Sequence, residues 1–170
     1  MSISMQSASA PVFVRLLGNL LLWLDKAEAH AVDKKFDAVV YLGTRLAPDM
    51  LSFTRQIQIA CDGAKFCMAR LAGVDGPTFD DSEATLEALR ERVSKTIAFI
   101  ESVPASQVDG SEQKDIVIPR RDGSITMKGE AYLKHFAMPN FYFHLTMAYA
   151  LLRHNGVALG KMDYLGAMPK

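Results

Sequence analysis

The stretch GEAYLKHFAMPNFYFHLTMAYALLRH, residues 129–154, decides the fold. It reads as one long helix that is apolar on nearly every side, through Phe136, Met138, Phe141, Tyr142, Phe143, Leu145, Met147, Tyr149, Leu151 and Leu152. A helix without a polar face is buried on several sides, so other elements must surround it. Pro139 has no N–H to give and predicts a kink or a restart within it.

Upstream the apolar spacing is helical as well. Phe13, Leu16, Leu17, Leu20, Leu24 and Ala27 recur at three and four residues, which marks one face of a first helix. Asp33 to Gly43 reads as a short connecting helix. A second long helix is predicted to open at Pro48 and close at Gly73, burying Met50, Phe53, Ile57, Ala60, Cys61, Ala64, Met68 and Leu71. Ile59 and Phe66 lie off that stripe, which suggests cover on two sides. In the third helix Asp80 and Glu83 form a capping box. Leu86, Leu89, Val93, Ile97 and Ile100 make its stripe, and Pro104 ends it. Between residues 104 and 130 the β-branched Ile116-Val117-Ile118 and Ile125-Thr126 flank a turn at Asp122-Gly123, which predicts a β-hairpin. The tail from Val157 to Lys170 reads as extended.

The resulting expectation is an all-α protein: a four-helix bundle with a short connecting helix and a small β-hairpin in the crossover between helices three and four. With 170 residues, 49% hydrophobic and 22% charged, the chain fits a single domain over residues 1–170. Nineteen basic and nineteen acidic residues cancel, so no global charge favours nucleic acid or an anionic membrane. The run Val12–Leu24 is broken by Arg15 and Asn19 and has no basic residue before it, unlike a secretory signal or a span. A cytoplasmic location is the expectation. Two cysteines make no disulfide scaffold, and Cys61 and Cys67 read as core packing. Phosphate loops, dinucleotide fingerprints, serine elbows and di-iron Glu-x-x-His pairs are all missing from the sequence.

Among the histidines, His30 and His154 suit helix C-termini and His135 a surface. His144 stands out because Phe143 and Leu145 flank it in the buried helix. It reads either as a core histidine with an internal partner or as a pocket or ligand residue. Asn140 lies one turn earlier on the same face. Gln56, Gln58 and Asp62 are possible partners from the second helix; Gln58 and Asp62 are four apart and share a face, with solvent exposure the competing reading for both.

The fourth-helix residues Asn140-Phe-Tyr-Phe-His144 and Ala148 to Gly156 resemble the last helix of the DinB-like superfamily. Arg45 to Met50, Gln56 to Asp62, Pro139 to His144, and Arg153 to Gly156 with Leu159-Gly-Lys161 resemble one bacterial and fungal branch of it, a domain family of unknown function. The resemblance implies a four-helix bundle, often dimeric. In better-characterised relatives three histidines, one on the second helix and two on the fourth, hold a divalent metal, and some relatives transfer low-molecular-weight thiols. Aligned on Leu151-Leu152-Arg153, His144 takes the second fourth-helix position, Asn140 the first, and Gln58 or a neighbour the second-helix position. One histidine of three is thus retained, and no cofactor is expected; a residual divalent metal would have only His144 and Asp62. The implied pocket lies between helices two and four, lined by Gln58, Asp62, Asn140, His144, Met147 and Tyr149. The resulting reading is a protein that binds an unknown small molecule, or a homodimeric interaction module through the fourth helix, with a degenerate metal site. The alternative is a divergent thiol-transferase-like or hydrolytic enzyme in which His144 is the catalytic residue beside a weakly held metal.

Overall fold

A computed structural model describes residues 3–167. Four long helices form the body: α1 (Ala10–Lys34), α2 (Phe53–Ala72), α3 (Leu86–Ser102) and α6 (Met138–His154). Between α3 and α6 come a single helical turn, α4 (Ala105–Val108), the strands β1 (Asp115–Arg120) and β2 (Gly123–Lys128), and a short helix α5 (Gly129–Tyr132). A last short helix, α7 (Lys161–Leu165), follows α6. The all-α bundle with a hairpin in its crossover is therefore the observed fold.

Neighbours around the bundle run α1, α3, α2, α6 and back to α1. Side-chain partners fix the directions. Arg90 at the start of α3 pairs with Asp25 and Glu28 late in α1, so these two helices are antiparallel. Glu83, just before α3, meets Gln58, and Arg92 within α3 meets Asp62 one turn further on, so α3 runs parallel to α2. Gln56 meets His144 and Arg70 meets Tyr132, so α2 opposes the last long helix. Phe13 packs edge-on against Phe141 at 4.9 Å and Trp23 against Tyr149 at 5.5 Å, so α1 and α6 are parallel. The bundle is up-down-down-up. Both the α1–α2 and the α3–α6 connections cross a diagonal, where the sequence suggested one long crossover.

Boundaries differ from the sequence reading for local reasons. Helix α1 runs on to Lys34 and ends at Lys35 in the left-handed conformation (φ 59°), so the connecting helix shrinks to one 3-10 turn, Ala38–Tyr41. Asp37 caps that turn by accepting from the Val39 N–H at 2.9 Å. Helix α2 begins after Ser52, leaving Pro48 in the preceding loop. Thr85, not Asp80, caps α3, accepting from the Ala88 N–H at 3.1 Å. The acidic residues before it are drawn instead to the buried Arg92. Pro139 falls in the first turn of α6, directly after a π-helical turn at Leu133–Ala137. That wider turn accommodates a proline that cannot donate and would crowd the carbonyl four residues back. The tail is helical over Lys161–Leu165 because Asp163 Oδ2 accepts from the Gly160 N–H at 2.8 Å and caps it.

The hairpin pairs Asp115 with Lys128 through Arg120 with Gly123, so its turn residues are Arg121 and Asp122 and not Asp122 and Gly123. Ile116 and Ile118 are buried on the helices, while Val117 and Ile125 face outward. The hairpin returns the chain to α2 and α5 at one tight point. The Gly129 N–H donates to the Lys114 carbonyl at 2.9 Å, and a Cβ at Gly129 would lie 2.0 Å from the Ser111 carbonyl oxygen. Since the obstructing atom is backbone, Gly129→Ala is expected to destabilise by about 3 kcal/mol or to prevent folding. Gly18, in the middle of α1, has open space around its missing Cβ. Gly18→Ala is expected to stabilise by about 0.5–1 kcal/mol. Urea unfolding of the two variants checks both signs.

Candidate functional site

Helix α2 buries polar side chains on two of its sides. Toward α3 stand Gln58 and Asp62; toward α6 stands Gln56. On the first side Arg92, only 2% exposed, donates through Nη1 to Asp81 (2.7 Å) and Glu83 (2.8 Å) and through Nη2 to Asp62 (2.9 Å). Gln58 joins this cluster: it accepts from Arg55 at 2.6 Å and donates to Glu83 at 2.6 Å. Asp62 also pairs with the buried Lys65 at 2.9 Å. The ring of Phe79 lies within 4.8 Å of the Arg92 guanidinium and 4.2 Å of the Lys65 ammonium. Burial works to raise the Asp81 and Glu83 carboxyls, but the hydrogen bonds and charge of Arg92, with Arg55 at Asp81 and the Gln58 amide at Glu83, hold both below their ordinary values.

On the other side His144 is 8% exposed, and its Nδ1 donates to Gln56 Oε1 at 2.7 Å. Gln56 Nε2 in turn donates to the Leu51 carbonyl at 3.2 Å. Phe143 packs edge-on to the imidazole at 5.2 Å. Because Nδ1 carries the shared proton, the neutral ring keeps a lone pair on Nε2, which has no partner among the described residues. Asn140 is half-buried across from Gly63, where a Cβ would meet its Nδ2 at 3.3 Å. Burial pushes the His144 imidazole below its ordinary 6.5.

The six expected pocket residues do not converge. Gln58 and Asp62 belong to the Arg92 cluster on α3. Asn140 and His144 share the α2–α6 contact, and their α2 partner is Gln56, two residues from the expected Gln58. Tyr149 faces α1 and α7, packing against Trp23 and Tyr164. Met147 is half-buried on α6. Gln56 is one of the three second-helix partners the sequence offered, and Arg92 is the residue it passed over. Arg92 is in helical phase with Leu89 and Thr96, which was the available signal. His30 also differs from a simple cap, since its Nδ1 meets the Tyr41 hydroxyl at 2.6 Å. Cys61 and Cys67 are free and buried, and desolvation pushes the Cys61 thiol up to about 12.

At the α2–α6 contact, where the resemblance implies a divalent metal, the polar side chains are one imidazole and two amides, His144, Asn140 and Gln56. That set does not fit a zinc-type shell, which takes Cys, His and carboxylate. The nearest α2 carboxylate, Asp62, is held by two cations on the opposite side of the helix. Among the described residues no three His, Cys, Asp or Glu side chains stand together as a metal site.

This up-down-down-up bundle with its hairpin is shared with a DinB family member of known structure. The crystal structure of a DinB family member from Shewanella denitrificans is 43% identical and superposes with a TM-score of 0.91, over 97% of this chain and 93% of that one. Within that class, residues 5–165 match the family described as a domain of unknown function, DUF1993, and the chain belongs to it. No curated protein matches the chain. Among the described residues, no helix is long and apolar enough to cross a membrane.

His144 titration has a defined sign. The unfolded chain takes up a proton near pH 6.5, above the folded value, so the stability contributed by the neutral ring is complete above 6.5. It is lost as pH falls from there and levels off below the folded value. The urea midpoint is expected to decline as pH falls through 6.5, and this part of the decline to vanish in His144→Gln. Losses tied to Asp81 and Glu83 come later, at pH below their ordinary 3.8 and 4.5. His144→Ala is expected to cost about 1–3 kcal/mol at neutral pH, because the buried Gln56 carbonyl loses its donor.

Proposed function

We propose that this protein binds a small polar molecule at the α2–α6 contact, with His144 acting as a neutral hydrogen-bond acceptor. The supporting observation is the pairing of His144 Nδ1 with an amide. A carboxylate partner would stabilise the imidazolium and suit acid–base work, whereas Gln56 orients the ring without favouring its charge. Asn140, one turn before His144 on the same face of α6, adds an amide donor and acceptor. The ligand class this supports is a neutral molecule with both a donor and an acceptor. On this reading the metal position of the DinB-like fold is degenerate, and two weak amide ligands do not retain a divalent ion.

The test uses untagged protein and two probes. Neutral primary amides, added in an NMR titration, are expected to shift the His144 Nε2 resonance, and the response is expected to be lost in Asn140→Leu. Zinc in equilibrium dialysis is expected to show no stoichiometric binding. One zinc per chain, abolished by His144→Ala, would contradict the reading, as would an Nε2 resonance indifferent to every amide.

We also propose a homodimer through α6. Phe141 is buried against Phe13, and Tyr149 packs between Trp23 and Tyr164. The most exposed large apolar side chain left on α6 is therefore Phe143 (51% exposed). Light scattering at micromolar concentration is expected to give twice 18.7 kDa, and Phe143→Glu to give the monomer. A wild-type monomer would refute the dimer.

A further inference from the structure

Helix α7 lies along the groove between α1 and α6 and is tied down by side chains of α1. Asn19 Nδ2 donates to the Tyr164 carbonyl at 2.9 Å and Trp23 Nε1 to that of Asp163 at 2.9 Å. Arg15 Nε donates to the Leu165 carbonyl at 3.0 Å, and its Nη2 to that of Ala167. Beside this helix the groove is open, with a volume of about 710 Å³. Small-molecule sites typically occupy about 300–1,000 Å³. Its walls are Val12 and Leu16 of α1, Tyr142 of α6, and Tyr164 and Leu165 of α7. A second space of about 310 Å³ shares Tyr164 and Leu165 and continues to Lys161.

Among the described residues, Arg15 is the one charged residue lining the larger space. The acceptors it meets are neutral main-chain carbonyls, and among the described residues no carboxylate pairs with it. A guanidinium has five N–H donors. Two are engaged, and the three that remain lie on Nη1 and Nη2, the edge that grips a carboxylate with two parallel hydrogen bonds. An apolar trough of this size with one uncompensated cation matches one kind of occupant in both polarity and charge.

We propose that the α1–α6–α7 groove binds a free amphipathic monocarboxylate. Its apolar body lies on Val12, Leu16, Tyr142 and Tyr164, and its carboxylate meets Arg15. A single cation suits a monoanion, and a polyanion would leave charge unmatched. This site is separate from His144 and does not depend on the function proposed there.

The probe is decanoate, titrated calorimetrically into the full chain, with decan-1-ol as the same chain without charge. Decanoate is expected to bind one per chain, and decanol about tenfold or more weaker, the loss of a charge-assisted contact. Arg15→Gln is expected to bring decanoate down to the level of decanol. Since Arg15 also fastens α7, Val12→Glu supplies a second arm: it leaves the Arg15 contacts in place and sets a competing carboxylate in the groove. Decanoate binding is expected to be lost in Val12→Glu with the circular dichroism and thermal midpoint unchanged. Equal affinity for decanoate and decanol, no decanoate binding by the wild type, or binding that survives in Val12→Glu would overturn the proposal. So would decanoate affinity that falls as protein concentration rises while the scattering mass doubles, since a second copy would then fill the groove.

Discussion

A guanidinium buried inside a helical bundle is tolerable only when its charge is met, and Arg92 meets three carboxylates. Asp62 comes from α2, while Asp81 and Glu83 come from the loop that leads into α3. Removing any partner would strand charge in a poorly hydrated site, so the three arrive as a set. Much of the local architecture follows from that demand. It holds α2 and α3 parallel and in register, and it straps the 74–85 loop across both helices. It also keeps Asp81 in a left-handed conformation (φ 55°) that an aspartate tolerates better than most residues. Arg92 Nε alone is left without a partner among the described residues.

The same cluster decides what His144 can be. By drawing Asp62, Asp81 and Glu83 to the α3 side of α2, it leaves amides to face α6. His144 therefore meets Gln56 and stays neutral, with its ring fixed by a bond that does not reward protonation. Gly63 lets the two helices approach closely enough for Asn140 to lie against α2. The chain keeps the DinB-like scaffold and brings an imidazole and two amides together at the α2–α6 contact.

The bundle was legible because its helices carry apolar residues at helical spacing over four or more turns, and Pro139 marked the one irregular place in the last of them. The hairpin was legible from β-branched residues around a turn. What the spacing left open was rotation. Gln56 and Gln58 sit about 200° apart around α2, and because that helix is covered on two sides, periodicity allows either to face α6. Arg92 escaped notice for a related reason: its phase is that of the buried stripe, yet its chemistry suggests solvent. The acidic residues at 80–83 looked like a helix cap, but a buried cation competes more strongly for them than a backbone N–H does. Helix α7 depended on a cap from Asp163 that is visible only once α1 supplies its donors.

The central claim is that His144 is a neutral imidazole protonated on Nδ1, with Nε2 free to accept. Long-range proton–nitrogen correlation spectra of the full chain report the tautomer and charge of each histidine ring directly. The account predicts, for His144 near neutral pH, an Nδ1–H tautomer with a pyridine-like Nε2, converted to the other tautomeric pattern or to exchange averaging when Gln56 is replaced by Leu. A charged ring, or a proton on Nε2 in the wild-type protein, would contradict it.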